Sequence, residues 1–458
     1  MNFSASMTVM QKPSFKHKWP LALMTACLTA SSVWAANLPA ASPAAKVEMR
    51  HVGGKWRLYV NQKEFYINGA GLEFGDQEKL AAAGGNSFRT WRPDNGRETG
   101  QQVLDRAQKN GLYVAMGLDV TPERDGFDYS DSNAVAGQFA RIKRTVLQFK
   151  NHPALLFWDI GNELNLNSKN PKVWDAVNEI SKMIHQVDPN HPTTTSLAGI
   201  NKELVAEIKA RTPDIDFLCV QSYADIVNLP AELRDSGWNA PYVVTEWGAT
   251  GHWECGKTSW GAPIEDDSSV KALCYEKRYE VAIASDATNC LGSYVFLWGQ
   301  KQERTPTWYG MFLKSGEATE SVDVMQHAWT GHWPELRCPQ VKSFSLAGKN
   351  ARQNVRLFSG ENYEAHVDAQ SSPGDSLTYS WEVMPESDAQ SIGGDAEDQP
   401  AQLAGLIQQG AGAEAQFKAP TKPGAYRLFV YAIDRHQKAA YANIPFYVDE
   451  KTAAMAAH

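Results

Sequence analysis

Two glutamates frame the chemistry open to this sequence. Glu163 stands in ALLFWDIGNELN, residues 154–165, where Leu155, Leu156, Phe157, Trp158 and Ile160 form a near-continuous apolar run that stops at Gly161-Asn162. Glu246 stands in PYVVTEWG, residues 241–248, where Tyr242, Val243 and Val244 lead up to it and Trp247 follows. Packing explains such a carboxylate poorly, because glutamate is almost never fully buried unless it is paired or used. Taken singly, either glutamate reads equally well as a salt-bridge partner. Together, at two strand ends, they are what cleavage of a glycosidic bond requires. One protonates the departing oxygen and the other acts as nucleophile or base.

The elements that would position them alternate in type. Apolar strands are expected at 65–71, 86–91, 112–118, 154–161, 192–197, 216–223, 241–247 and 291–298, each followed by a helical stretch. Eight strand–helix pairs from Phe65 to about Trp333 predict a (β/α)8 TIM barrel. The active site of that fold lies at the carboxyl ends of the strands. Glu163 then ends strand four, Glu246 ends strand seven, and both face one mouth. Residues 47–59 and 63–70 alternate as strands around Gly53-Gly54 and are expected to plug the barrel floor.

After Pro339 the texture changes to short alternating strands with turn residues between them, a small all-β sandwich over 340–450. The runs YSWEV, FKAP and PGAYRLFVYAID resemble immunoglobulin-like or PKD-type domains attached to secreted carbohydrate enzymes. A spacer or docking role is expected for this region. The acidic, Gly-, Ala- and Gln-rich segment Glu386–Gly412 reads as a loose loop.

Residues 46–335 resemble the barrel of retaining glycoside hydrolases with catalytic glutamates on strands four and seven, and most closely that of glycoside hydrolase family 2. The matching stretches are FYINGAG, NSFRTW, FWDIGNELN, VTEWG and SYVFLWG. The resemblance implies Glu163 as general acid/base and Glu246 as nucleophile. It implies Asn162 as a donor to the sugar 2-hydroxyl, Arg89 and Tyr223 as partners of the Glu246 carboxylate, and Trp298 as the floor beneath the sugar. Chemically, a nucleophile needs donors to stay charged. A proton donor needs apolar or like-charged surroundings, for which Trp158 and Glu246 are the candidates. Retention requires carboxyls roughly 5–5.5 Å apart. Family 2 enzymes usually carry further β-domains before the barrel, whereas here about ten residues separate a leader from the first strand. That departure suggests an open cleft able to admit a polymer.

Two loops are expected to set the substrate. Residues 248–267 carry Trp253 and Trp260. Residues 299–312 carry Gln300, Gln302, Glu303, Arg304, Trp308 and Tyr309. Trp253 and Trp308 are the candidates for stacking on sugar rings, while Glu73 and Asp119 also face the mouth.

The chain has 458 residues and a net charge of −8, which suits a large barrel plus an accessory module and argues against nucleic acid as a partner. Residues 1–35 read as a signal peptide: Lys12, Lys16 and Lys18 precede a short apolar core, and Val33-Trp34-Ala35 offers a cleavage site. The core is too short for a membrane span. Export to the periplasm or the medium is therefore expected, with lipid anchoring at Cys27 as the competing reading and 36–45 as a linker. In an exported protein Cys255–Cys274, and then Cys290–Cys338, are the expected disulfides, with Cys219 a buried thiol. No Cys/His cluster has zinc spacing, and the chemistry needs no cofactor. The reading is thus a β-glycosidase hydrolysing O-glycosyl bonds of a β-glucan or β-linked oligosaccharide by double displacement. The alternatives are a β-glucanosyltransferase of the same mechanism, and a non-catalytic carbohydrate-binding envelope protein.

Overall fold

The structure, a computed structural model, describes residues 43–372, 375–409 and 412–451. The expected signal segment 1–35, the linker to residue 42 and the tail 453–458 lie outside the described residues.

Strands β1 (Val47–Val52), β2 (Lys55–Val60) and β3 (Lys63–Phe65) form one antiparallel sheet. Its Val47, Leu58 and Val60 are buried against Ile67, Phe157, Phe217 and Tyr294. This closes the floor of the barrel, as the alternation of the first strands implied.

The barrel is complete. Strands β4 (Ile67–Gly71), β5 (Ser87–Arg89), β6 (Tyr113–Leu118), β7 (Leu155–Asn162), β8 (Thr193–Ala198), β9 (Leu218–Gln221), β10 (Tyr242–Gly248) and β11 (Cys290–Phe296) close in that order, with β11 back on β4. Helices α1 (Gln77–Ala82), α2 (Gly100–Lys109), α3 (Ser132–Phe149), α4 (Lys172–Val187), α5 (Lys202–Arg211), α6 (Leu229–Asp235), α7 (Ser268–Arg278) and α8 (Glu320–Thr330) follow the successive strands. Local chemistry starts them. Asp76, Asp131, Asn201 and Asp267 cap helix N-termini with side-chain oxygens, and Thr99 and Gln102 form a capping box. The apolar strand faces pack outward against the helices: Trp158, fully buried, donates to Asp188 at 2.8 Å. Trp158 therefore stands on the outer side of β7, and the expectation that it surrounds Glu163 is corrected.

The C-terminal part consists of two facing sheets around a common core that includes Trp381, Phe417, Leu428 and Phe446. One sheet runs β12 (Ala318–Thr319), β20 (Lys438–Asp449), β19 (Gly424–Ile433), β16 (Thr378–Pro385), with β14 (Val355–Phe358) also on β20. The other runs β13 (Gln340–Leu346), β15 (Asn362–Gln370), β18 (Glu414–Lys418), β17 (Ile407–Gln409). β12 precedes α8 in the chain yet pairs with β20, so the barrel lends this sheet a strand.

A buried polar network fastens the sheets to the barrel. Lys271 Nζ donates to Glu265 at 2.5 Å, to the carbonyls of Thr307 and Trp308 at 2.9 Å, and to Tyr441 at 3.1 Å. Asn443 donates to Glu265 at 2.7 Å, and Arg427 reaches the Pro263 carbonyl at 2.7 Å. A buried charge this well bonded holds a fixed geometry, because breaking it strands the partner. Cys219, Cys255, Cys274, Cys290 and Cys338 are all free thiols, so the expected Cys255–Cys274 and Cys290–Cys338 bridges are not formed. Cys290 lies buried in the barrel wall and Cys338 contacts the Ala318 carbonyl at 3.4 Å. Among the described residues no helix is long and apolar enough to cross a membrane.

Candidate active site

β7 runs apolar to Ile160 and then turns in left-handed backbone, with Gly161 at φ +81° and Glu163 at φ +50°. A Cβ on Gly161 would meet Leu164 at 2.6 Å, so only glycine fits there. The strained Glu163 is held on several sides. Its N–H donates to the Ser196 carbonyl at 2.8 Å, and its carbonyl accepts from Arg124 at 2.7 Å. Asn165 clasps the backbone of Ala198 through both ends of its amide. An unusual φ at a residue whose backbone is braced on both sides fits a functional site.

Glu246 sits within β10, beside a register shift between Val244 and Glu246 against β9. Such an irregularity re-aims a side chain. One carboxylate oxygen, Oε1, accepts from Arg89 Nη1 at 2.8 Å, Trp91 Nε1 at 2.8 Å and Gln221 Nε2 at 3.0 Å. The other, Oε2, accepts from the Tyr223 hydroxyl at 2.9 Å. Burial and the Glu246 charge push the Tyr223 hydroxyl well above its ordinary pKa, so it stays a neutral donor.

Arg89 is the hub. Its other terminal nitrogen donates to Asn162 Oδ1 at 2.8 Å and to Asp159 at 3.3 Å. Asn162 Oδ1 also accepts from Gln221 at 2.6 Å. Both bonds use the oxygen of Asn162, so its amide nitrogen is left to donate. Asp159 is buried, which pushes its carboxyl up against the pull of Arg89.

Glu163 is in the opposite situation. Burial first, then the charge of Glu246, push its carboxyl up to about 8, against the opposing pull of Arg124 and Arg89. The two glutamates thus face one cavity of about 1580 Å³ from environments of opposite character. A desolvated carboxyl that holds its proton, as Glu163 does, is suited to act as a proton donor. The cavity exceeds the roughly 300–1,000 Å³ that a single drug-sized ligand fills.

Arg89, Asn162, Glu163, Tyr223 and Glu246 are brought together as the sequence implied, and Trp253, at 55% exposed, stands at the mouth edge-on to Tyr223. Two aromatic assignments are corrected. Trp298 is fully buried, with its indole N–H on the Asp76 carbonyl at 3.0 Å, packed against Phe312 and Trp329. It lines the cavity as a wall residue, with no exposed ring face. Trp308 is 1% exposed and donates to the Thr250 carbonyl at 2.9 Å, which excludes stacking on a ligand. Trp260 packs against Tyr447 of the C-terminal sheets. Glu73 and Asp119 line the cavity but are paired, with Arg92 and Arg141.

Sequence reasoning missed Trp91, Gln221, Asp159 and Arg124. Period two would have found the first two: Trp91 follows Arg89 by two residues and Gln221 precedes Tyr223 by two, so each pair shares a face. Arg124 carries no such signal, because it comes from a single 3-10 turn, Glu123–Asp125, between β6 and α3.

The chain thus closes an eight-stranded parallel barrel that carries these two carboxylates at one mouth. Residues 74–260 match the family model described as glycosyl hydrolases family 2, TIM barrel domain, which bears out the resemblance read from the sequence over that segment. A curated β-glucuronidase of Streptococcus agalactiae serotype V (strain ATCC BAA-611 / 2603 V/R) is 25% identical over 221 residues, 41% of this chain. The chain spans 35% of the length of that relative. Among solved structures, a β-D-glucuronidase from Dictyoglomus thermophilum aligns over 64% of this chain and 54% of its own, with 17% identity and a TM-score of 0.48. A glycoside hydrolase family 5 mannosidase from Rhizomucor miehei aligns over 62% and 97%, with 15% identity and a TM-score of 0.44.

Proposed function

We propose that this protein is a retaining β-glycosidase that cleaves β-linked oligosaccharides or a β-glucan by double displacement. The observation that carries this reading is the contrast between Glu246, held by Arg89, Trp91, Gln221 and Tyr223, and Glu163, desolvated and raised to about 8. Glu246 attacks the anomeric carbon through Oε2, the oxygen with a single donor, while Glu163 protonates the departing oxygen. Asn162 donates to the sugar 2-hydroxyl. Glu163, now a carboxylate, then takes a proton from the incoming water, and the bond to Glu246 breaks with a second inversion. No cofactor enters these steps.

Neutral sugars are the substrates we favour over uronates. Arg92, Lys301 and Arg304 on the wall are paired with Glu73, Glu303 and Glu397, while Arg97, held only over the Phe74 ring, is a cationic head that a uronate could still engage. The reading includes export, on the strength of residues 1–35. It also takes the C-terminal sheets as an immunoglobulin-like module, on the strength of two facing sheets of five and four strands around one core. The exposed Trp253 at the mouth favours a second reading, transfer to a sugar hydroxyl.

The deciding experiment incubates the purified chain with β-linked gluco-, galacto-, manno- and glucurono-oligosaccharides and follows the products by mass spectrometry and the anomeric proton by NMR. Shorter products released first as the β-anomer fit hydrolysis with retention. Products longer than the input fit transfer. First release of the α-anomer would remove the double displacement, and turnover of glucuronides alone would remove the neutral-sugar assignment.

A further inference from the structure

The segment between β16 and β17 does not behave as the loose loop its composition suggests. It is fastened at both ends. Glu386 pairs with the buried Arg427, bonded through both carboxylate oxygens. Glu397 accepts from the Arg304 N–H at 2.6 Å and pairs with the Arg304 guanidinium at 3.3 Å. Arg304 also donates to the carbonyls of Ala389 and Ser391, and Lys301 to that of Gly394. Both basic residues come from the loop after β11 of the barrel. Charge-assisted bonds at both ends restrict what composition alone would leave free.

Between the clamps the chain crosses to the proton-donor side of the cleft. A Cβ on Gly393 would lie 3.2 Å from Glu163 Oε2 and 3.1 Å from both Arg124 Nη2 and Leu166 Cδ2. Gly393 and Gly394 both have left-handed φ, +64° and +76°, which lets bare backbone lie against the carboxyl. Ile392 lines the same cavity with its side chain 49% exposed. Gln302, also on the cavity wall, has both ends of its side-chain amide buried without a partner. A general acid must reach the oxygen it protonates. Backbone packed against that acid therefore borders the leaving group and not the sugar that stays on Glu246.

We infer that residues 386–399, supplied by the C-terminal sheets, form the leaving-group subsite of the barrel and set which leaving groups the enzyme accepts. The subsite takes a sugar ring or other compact group against Ile392 and the Gly393-Gly394 peptide, with Gln302 left to bond a hydroxyl. The C-terminal part is then a specificity element of the catalytic cleft, beyond a spacer. This inference rests on Glu163 being the proton donor.

The test compares the full chain with two variants, one with residues 389–397 replaced by Gly-Ser-Gly and one with Ile392→Asp. Each is assayed on two substrates with the same non-reducing sugar, one releasing 4-nitrophenol and the other a disaccharide. The ratio of kcat/KM for the sugar leaving group to that for nitrophenol is expected to shift by about tenfold or more in both variants. A ratio within twofold of the parent in both overturns the inference, because damage to the barrel would depress the two substrates alike. Hydrogen exchange of the peptide spanning 388–397 is read alongside. It is expected to be slow in the parent and at least tenfold faster in Arg304→Ala, and fast exchange already in the parent overturns the inference. Failure of the unaltered chain to turn over any glycoside would instead remove the glycosidase reading, while exchange would still report whether the loop rests on Glu163.

Discussion

Arg89 Nη1 lies 2.8 Å from Glu246 Oε1, with both side chains buried at the barrel mouth. The same guanidinium reaches Asn162 and Asp159, so one planar cation aligns residues from three other strand positions. A lysine is a point charge on a flexible stem and cannot span them. Arg89→Lys should therefore lower kcat/KM by about 10²–10³-fold. Arg89→Ala should in addition cost about 3–5 kcal/mol of stability, because it leaves Asp159 and Glu246 buried without their cation. Steady-state kinetics and urea unfolding on the same preparations check both.

The two glutamates should fail differently. Glu246→Gln should remove activity by several orders of magnitude on every substrate, since no covalent intermediate can form. Glu163→Gln should lower kcat/KM about 10²–10⁴-fold where the leaving group is a sugar that needs protonation. It should lower it far less for 2,4-dinitrophenol, which leaves without a proton. Equal losses on both substrates would reverse the assignment of Glu163.

Glu163 raised to about 8 makes a prediction about pH. On the proposed roles Glu163 carries the proton to be donated only below that value, so kcat/KM should fall as pH rises through about 8. The sign for stability follows from linkage. The folded state holds the Glu163 proton more tightly than the unfolded chain, so Glu163 lowers stability progressively from about pH 4.3 to about 8. Glu163→Gln should then raise Tm at pH 8.5 relative to the parent by about 5 °C or more. The gain should vanish near pH 4. Calorimetry at the two pH values checks it.

The tryptophans separate support from contact. Trp308 is buried, so Trp308→Ala should destabilise by about 3–5 kcal/mol. Trp253 is exposed at the cleft, so Trp253→Ala should change stability by less than about 0.5 kcal/mol. Its cost should appear as a raised KM for oligosaccharides. Unfolding curves and KM values for the pair decide.

The free thiols make a chemical prediction. Alkylation under denaturing conditions without reductant should label Cys219, Cys255, Cys274, Cys290 and Cys338 alike, and reductant should leave Tm unchanged. A mass shift of the Cys255 or Cys274 peptides that requires reductant would restore a bridge.

What the sequence by itself determined is the barrel and its two carboxylates. Near-continuous apolar runs alternating with helical stretches are local signals, and counting strands places Glu163 and Glu246 at one mouth. The position of Arg89 and Tyr223 at the same ends follows from the same count. Buried aromatics misled, because a tryptophan near a catalytic strand has the same local sequence whether its ring faces a cleft, as Trp253 does, or a wall, as Trp298 and Trp308 do. The state of the cysteines was equally illegible, since pairing depends on distance and not on spacing along the chain. Tertiary structure alone decided the surroundings of Glu163. Its proton is held by burial, by the charge of Glu246 some eighty residues away, and beside a glycine loop more than two hundred residues downstream that Arg304 and Arg427 fasten in place. Desolvation and Coulomb forces act through space, and only the folded chain sets those distances.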